Sequence, residues 1–132
     1  MTILKTLAIA LTLSSIAAAA EAGPREDIVA KFQAQAGAPA NPDNGKKMFF
    51  NNYGTGKPDT PKCTTCHGDT PQNGGMTRAG KAIDPIAVSG TPDRFTDAQK
   101  VDKWFRRNCK GVIGRECTAQ EKVDFLTFMI GQ

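Results

Sequence analysis

The pentapeptide CTTCH, Cys63 to His67, constrains this chain more than any other stretch. In C-x-x-C-H the two thiols add across the vinyl groups of a haem, and the adjacent histidine turns under the iron as an axial ligand. Two other chemistries use similar residues. A thioredoxin-like redox pair needs a βαβ setting, and no strand–helix–strand pattern surrounds the motif. A zinc site would want two more ligands, and the remaining cysteines, Cys109 and Cys117, have the wrong spacing for a knuckle. The motif therefore points to a covalent haem c held by Cys63, Cys66 and His67.

His67 is the only histidine. A bis-histidine iron is excluded within one chain, so the sixth position must go to methionine, another side chain, water or nothing. Met1 leaves if the N-terminus is a leader, which reduces the methionines to Met48, Met76 and Met129. Met48 ends a helical pattern and reads as core filler. Met76 lies in a glycine-rich loop, and Met129 sits off the main apolar stripe of the last helix.

Residues 1–22 read as a Sec-type signal peptide. Lys5 precedes a mildly apolar run, and either Ala18-Ala19-Ala20 or Ala20-Glu21-Ala22 fits the A-x-A cleavage pattern. The run is too short to span a membrane. Its removal takes away Lys5 and Glu21 together and keeps the formal charge at +4. Residues 23–132 then form one exported, periplasmic domain. With 7% aromatic residues, a domain of about 110 residues has only a modest core. All four cysteines fall in this part, and an oxidising compartment demands a reason for any left unpaired.

The local signals are those of an all-α protein with long irregular loops. Pro24 to Gly37 reads as a helix with proline at its start, acids in its first turn and Gly37 as its stop. A second helix starts at Asn41, its cap, with Pro42 in the first position. Residues 54–62 are turn chemistry, and 68–94 show little periodicity, as expected of a loop wrapped around something. Thr96-Asp97-Ala98-Gln99 and Thr118-Ala119-Gln120-Glu121 read as capping boxes. They open helices to about Cys109 and Ile130, the latter with Val123, Leu126 and Ile130 on one side. No segment alternates convincingly enough to be a strand.

KWFRRNCKGVIGREC (103–117) holds an anomaly. At about 100° per residue, Val101, Trp104, Phe105 and Asn108 share one sector of a helix otherwise lined by Lys100, Asp102, Lys103, Arg106, Arg107 and Lys110. Asn108 thus falls near the centre of an apolar face. A buried amide without partners costs a few kcal/mol, so it should bond a loop carbonyl or a haem propionate, or ligate iron. Cys109 and Cys117 enclose a loop able to bend back, and a bridge there would contribute about 2–3 kcal/mol. Such a bridge would tie the helix end bearing Asn108 to the start of the last helix.

With these residues placed, the sequence resembles the family of sphaeroides haem protein and cytochrome c″, small exported monohaem cytochromes. The resemblance runs through GKPDTPKCTTCHG, TRAGKAIDPIA, TPDRFTDAQKVDKW and RNCKGVIGRECTAQEK, nearly all of the chain after the leader. It implies a class I cytochrome c core with an extra N-terminal helix. It also implies His67 as proximal ligand, Asn108 as distal ligand and a Cys109–Cys117 disulfide. In that family the distal residue is histidine in cytochrome c″ and asparagine in sphaeroides haem protein, and this chain has the asparagine.

The resemblance further implies that the distal ligand leaves on reduction, and that the ferrous haem then binds oxygen or nitric oxide. The implied electron donor is a small exported dihaem cytochrome c, itself served by a membrane cytochrome b. It would meet the basic face of Arg106, Arg107, Lys110 and Lys62. Nucleic acid is not a partner, since the compartment is wrong and no aromatic–basic platform exists, and the chain is not membrane-embedded. Two further functions remain open: an electron carrier with methionine as sixth ligand, and an enzyme that reduces oxygen or peroxide.

Overall fold

A computed structural model describes residues 23–132 of the chain. The leader assigned to residues 1–22 lies outside them. Among the described residues no helix is long and apolar enough to cross a membrane.

Helix α1 (Pro24–Gln33) starts on proline, carries Glu26 and Asp27 in its first turn and Lys31 in its last, and buries Ile28 and Phe32. These charges oppose the helix dipole at both ends. The helix stops four residues before Gly37, the expected terminator. Gln33 supplies the reason: its Nε2 donates to the Ala38 carbonyl at 2.9 Å and its Oε1 accepts from the Ala40 amide at 2.9 Å. One side chain thus satisfies two backbone groups of a turn that takes over before Gly37. Helix α2 (Pro42–Phe50) begins as expected, with the Asn41 side chain accepting from the Asp43 amide.

The attachment motif forms the one-turn α3 (Thr64–His67), and a two-residue hairpin follows, β1 (Gly75–Met76) with β2 (Ala82–Ile83), antiparallel with Gly75 opposite Ile83. These short strands were not legible as alternation, because two residues cannot show a period. Helix α4 (Ala98–Asn108) runs without interruption into a π-helical turn, Cys109–Ile113. Its cap is shifted by one residue from the expected box. Asp97 accepts from the Lys100 amide, while the Thr96 hydroxyl donates to the Asp93 carbonyl. Either residue can cap a helix; the turn at Asp93 uses Thr96 first.

The last helix, α5 (Ala119–Ile130), has the full capping box at Thr118 and Glu121. It is buried well beyond one stripe, because α1 and α2 both pack on it and the Val88 amide donates to the Met129 carbonyl. Where α2 crosses it, Gly45 lies flush against the Asp124 carbonyl and the Phe128 side chain, and a Cβ there would collide with backbone. The Asp124 carboxylate, 4% exposed, accepts from the Asn41 amide at 2.7 Å and from Gln120 at 2.9 Å, joining α5 to the start of α2.

Arg115 holds the Glu121 carboxylate through two hydrogen bonds of 2.6 and 2.8 Å. The Arg115 hydrogen bonds lower the Glu121 pKa from its ordinary value. A carboxylate with a depressed folded pKa adds stability above its unfolded pKa, about 4.3, and that contribution disappears as pH falls through the folded value. Urea midpoints should therefore drop from about pH 5 downward. Glu121→Gln should flatten part of that drop while lowering the midpoint at pH 7.

Candidate functional site

The CTTCH segment folds as one tight turn: the Cys66 and His67 amides both donate to the Cys63 carbonyl, at 3.2 and 3.1 Å. Gly68, at φ 69°, ends it in a conformation open to glycine. From outside, Gly75 of β1 presses against the Cys66 carbonyl and the His67 Cα, a spacing no side chain could share. The hairpin thereby fixes the backbone of the motif. Cys63 and Cys66 are the free cysteines among the described residues, both half-buried.

Burial pushes the His67 pKa down to about 4, and the nearby Arg94 guanidinium adds to the shift. The imidazole is neutral at pH 7 and keeps a lone pair for a metal. The Phe49 ring, fully buried, lies 6.4 Å from it centroid to centroid. Arg94 is held in place by donating from Nε to the Pro85 carbonyl at 2.8 Å and from Nη2 to the Asp84 carbonyl at 2.7 Å. Neither Phe49 nor Arg94 was singled out by sequence reasoning, since nothing local marks a residue that approaches from a distant loop.

Burial also pushes the Cys63 thiol up to about 11. Redox-active C-x-x-C pairs depress a thiol pKa to expose thiolate, and Cys63 is shifted the opposite way. Among the described residues no group of three or more His, Cys, Asp or Glu is placed to hold a metal ion.

Asn108 stands on the last residue of α4, on a different element from His67. The helix divides its apolar sector into two rows. The buried row of α4 is Val101, Phe105 and Cys109, at 6, 8 and 3% exposure, whereas Trp104 and Asn108 form a neighbouring exposed row. The sector drawn from the sequence was right in extent, but the core covers only one edge of it. Trp104 is 47% exposed, with the Arg107 guanidinium 5.0 Å from its ring. Arg106, Arg107 and Lys110 are exposed beside it. Lys110 lies 3.3 Å from Glu116.

The α4 row connects to the motif through packed rings. Phe105 stacks edge-on against Phe125 at 5.8 Å, Phe125 meets Phe49 at 6.4 Å, and Phe49 meets His67. A disulfide joins Cys109 to Cys117 with Cα atoms 5.6 Å apart, anchoring the residue after Asn108 to the start of α5. The π-helical turn between them was invisible in the sequence, which shows only a glycine-rich loop. Of the three methionines, Met129 is fully buried and Met48 packs against the same core. Met76 is 58% exposed on β1, next in the chain to Gly75, which abuts the His67 Cα.

These residues fit a covalent haem. Two free thiols and a neutral histidine share one turn, and the tryptophan–asparagine row of α4 supplies an apolar ring and an oxygen donor. An all-α chain so equipped is of the c-type cytochrome class.

Comparison with known proteins places it more narrowly. A family model described as a domain of unknown function, DUF1924, matches residues 35–129. The cytochrome c-type protein SHP of Cereibacter sphaeroides is 47% identical over 126 residues, covering 96% of this chain and 97% of that one. The solved structure of oxidized SHP, described as an oxygen-binding cytochrome c, superposes with a TM-score of 0.80 at 49% identity, over 86% of this chain and all of the other. Cytochrome c″ of Methylophilus methylotrophus is 34% identical over 86 residues, 64% of this chain and 60% of its own length, and its oxidized crystal structure gives a TM-score of 0.66. The chain belongs to the family of SHP and cytochrome c″, with their all-α cytochrome fold, and its cofactor is a covalently attached haem c.

Proposed function

We propose that Cys63 and Cys66 carry the haem through thioether bonds, that His67 is the proximal ligand and that Asn108 is the distal ligand of the oxidised protein. On accepting an electron the protein releases Asn108 and binds a diatomic, oxygen or nitric oxide. When bound, the haem iron supplies a one-electron couple and two axial positions. The observation that carries this reading is the placement of Trp104 and Asn108 one turn apart on α4, with the next residue covalently anchored by the disulfide.

A neutral imidazole is a good ligand to either oxidation state. An amide oxygen is a neutral, hard and weak donor, tolerable to Fe(III) and poor for Fe(II), which prefers softer or π-accepting partners. Asn108 therefore lets go when the electron arrives, and its side chain can turn its N–H toward the incoming diatomic. Trp104, one turn before Asn108 on the same row, keeps water away from that position. The disulfide holds the backbone while the amide moves. Two relatives support the reading: SHP is described as oxygen-binding, and a solution structure of cytochrome c″, TM-score 0.65, concerns haem-ligand detachment.

The proposed setting is the periplasm, with residues 1–22 removed and residues 23–132 as a single domain. The electron donor is a small exported dihaem cytochrome c, docking on Arg106, Arg107 and Lys110, with an association rate that falls as salt rises. The test is spectroscopic. The dithionite-reduced protein should be five-coordinate and high-spin, and should take up carbon monoxide within the mixing time. A low-spin ferrous spectrum that excludes carbon monoxide would replace this reading with a His/Met electron carrier, for which Met76 is the accessible methionine.

A further inference from the structure

The π-helical turn after Asn108 does not end freely. A helix terminus leaves its last carbonyls without intrahelical partners, and here two of them are met by one loop. The Thr55 hydroxyl donates to the Ile113 carbonyl at 2.6 Å, and the Lys57 amide donates to the Gly111 carbonyl at 2.7 Å. Gly56 lies against the Gly111 and Val112 backbone, and Gly114, at φ 82°, lies against the Thr55 carbonyl. The loop itself is pinned, with the Tyr53 amide donating to the Pro61 carbonyl at 2.9 Å, and the chain reaches Cys63 two residues later. The turn is therefore fixed at three successive places: the disulfide at Cys109, the Lys57 amide at Gly111 and the Thr55 hydroxyl at Ile113.

We infer that Thr55 is a positioning residue for Asn108, and that the Thr55–Lys57 loop sets how firmly the amide holds oxidised iron. This rests on Asn108 being the distal ligand. A π turn has an alternative winding, and slipping toward regular α-helix would rotate and withdraw the residue at its N-terminal end. The two carbonyl bonds oppose that slip from its far end. Thr55 also stands on the segment that leads into the attachment motif. The clamp thus ties the distal residue to the proximal half of the site without touching either ligand.

The experiment uses the holoprotein and azide as an external ligand of the ferric iron. Azide must displace Asn108, so its apparent affinity scales with the fraction of protein in which the amide has released. Thr55→Val keeps the shape and removes the donor, and should tighten azide about five-fold, the ratio a single neutral hydrogen bond supplies. Thr55→Ser should restore the wild-type value. Carbon monoxide binding to the ferrous protein, where Asn108 has already left, should be unchanged in both.

General loosening is separated by Asp124→Asn, which weakens the α2–α5 junction away from the turn and should leave azide affinity unaltered. An azide affinity in Thr55→Val within two-fold of wild type, or an equal tightening in Asp124→Asn, overturns the inference. If Asn108→Ala itself leaves azide affinity unchanged, the distal-ligand reading fails and takes the inference with it. If Asn108→Ala tightens azide and Thr55→Val does not, only the role of Thr55 is lost.

Discussion

A chain with Cys63→Ala and Cys66→Ala together should release all of its haem into acidified organic solvent, while the parent protein keeps the group on the polypeptide. On the proposed assignment these are the thioether cysteines, and the other pair is consumed in the Cys109–Cys117 disulfide. The double variant should also be far less stable. A tethered cofactor acts at an effective concentration in the millimolar range, and free haem at micromolar levels is about a thousand-fold more dilute. A thousand-fold fall in the effective concentration of a group that binds only the folded state lowers stability by up to about 4 kcal/mol, a large share of what a small domain has. Each single variant should keep one bond and retain haem through extraction. Thermal melts with the extracted-haem spectrum measure both effects. Haem that stays on the doubly substituted chain would mean that other residues carry it.

The attachment motif could be read directly because its chemistry is local: five consecutive residues contain both thiols and the imidazole. The helix starts were legible for the same reason. Asn41 and the Thr118–Glu121 box cap within three residues of themselves, so sequence and structure agree there. The ends were less so. Helix α1 stops at Gln33 because that side chain reaches Ala38 and Ala40, an interaction that competes with Gly37 and leaves no periodic trace. The Thr96–Asp97 cap slipped by one because two adjacent residues can both do the job, and a turn at Asp93 decides between them.

What stayed hidden at the site is everything supplied from far away in the chain. Phe49 behind His67, Arg94 across two loop carbonyls, and the Thr55–Lys57 loop under the π turn are tertiary matches between segments with no shared pattern. Asn108 shows the limit most clearly. Helical geometry put it correctly in line with Trp104, but which edge of the apolar sector meets the core depends on where Phe125 stands, and that is set by α5.

Replacing Asn108 by alanine should leave haem attachment intact and convert the ferric protein to a water-ligated or five-coordinate, high-spin form. The reasoning follows from where the residue sits. Phe105 and Cys109, which pack on the protein core, lie on a different row of the helix from Asn108 and are untouched by the change. Alanine also favours helix over asparagine by several tenths of a kcal/mol, which offsets part of the lost iron–amide bond, so the fold should persist. A large spectral change on a stable fold is what a ligand substitution gives, and a packing defect cannot. The reduced protein should take up carbon monoxide at close to the wild-type rate, because the amide has already left the ferrous form. Oxygen should dissociate faster from the variant, which lacks the amide N–H to hold it, by about five-fold for one hydrogen bond. An Asn108→Ala protein with the parent's ferric spectrum would show that the amide never reached the iron, and the sixth ligand would then have to be sought at Met76.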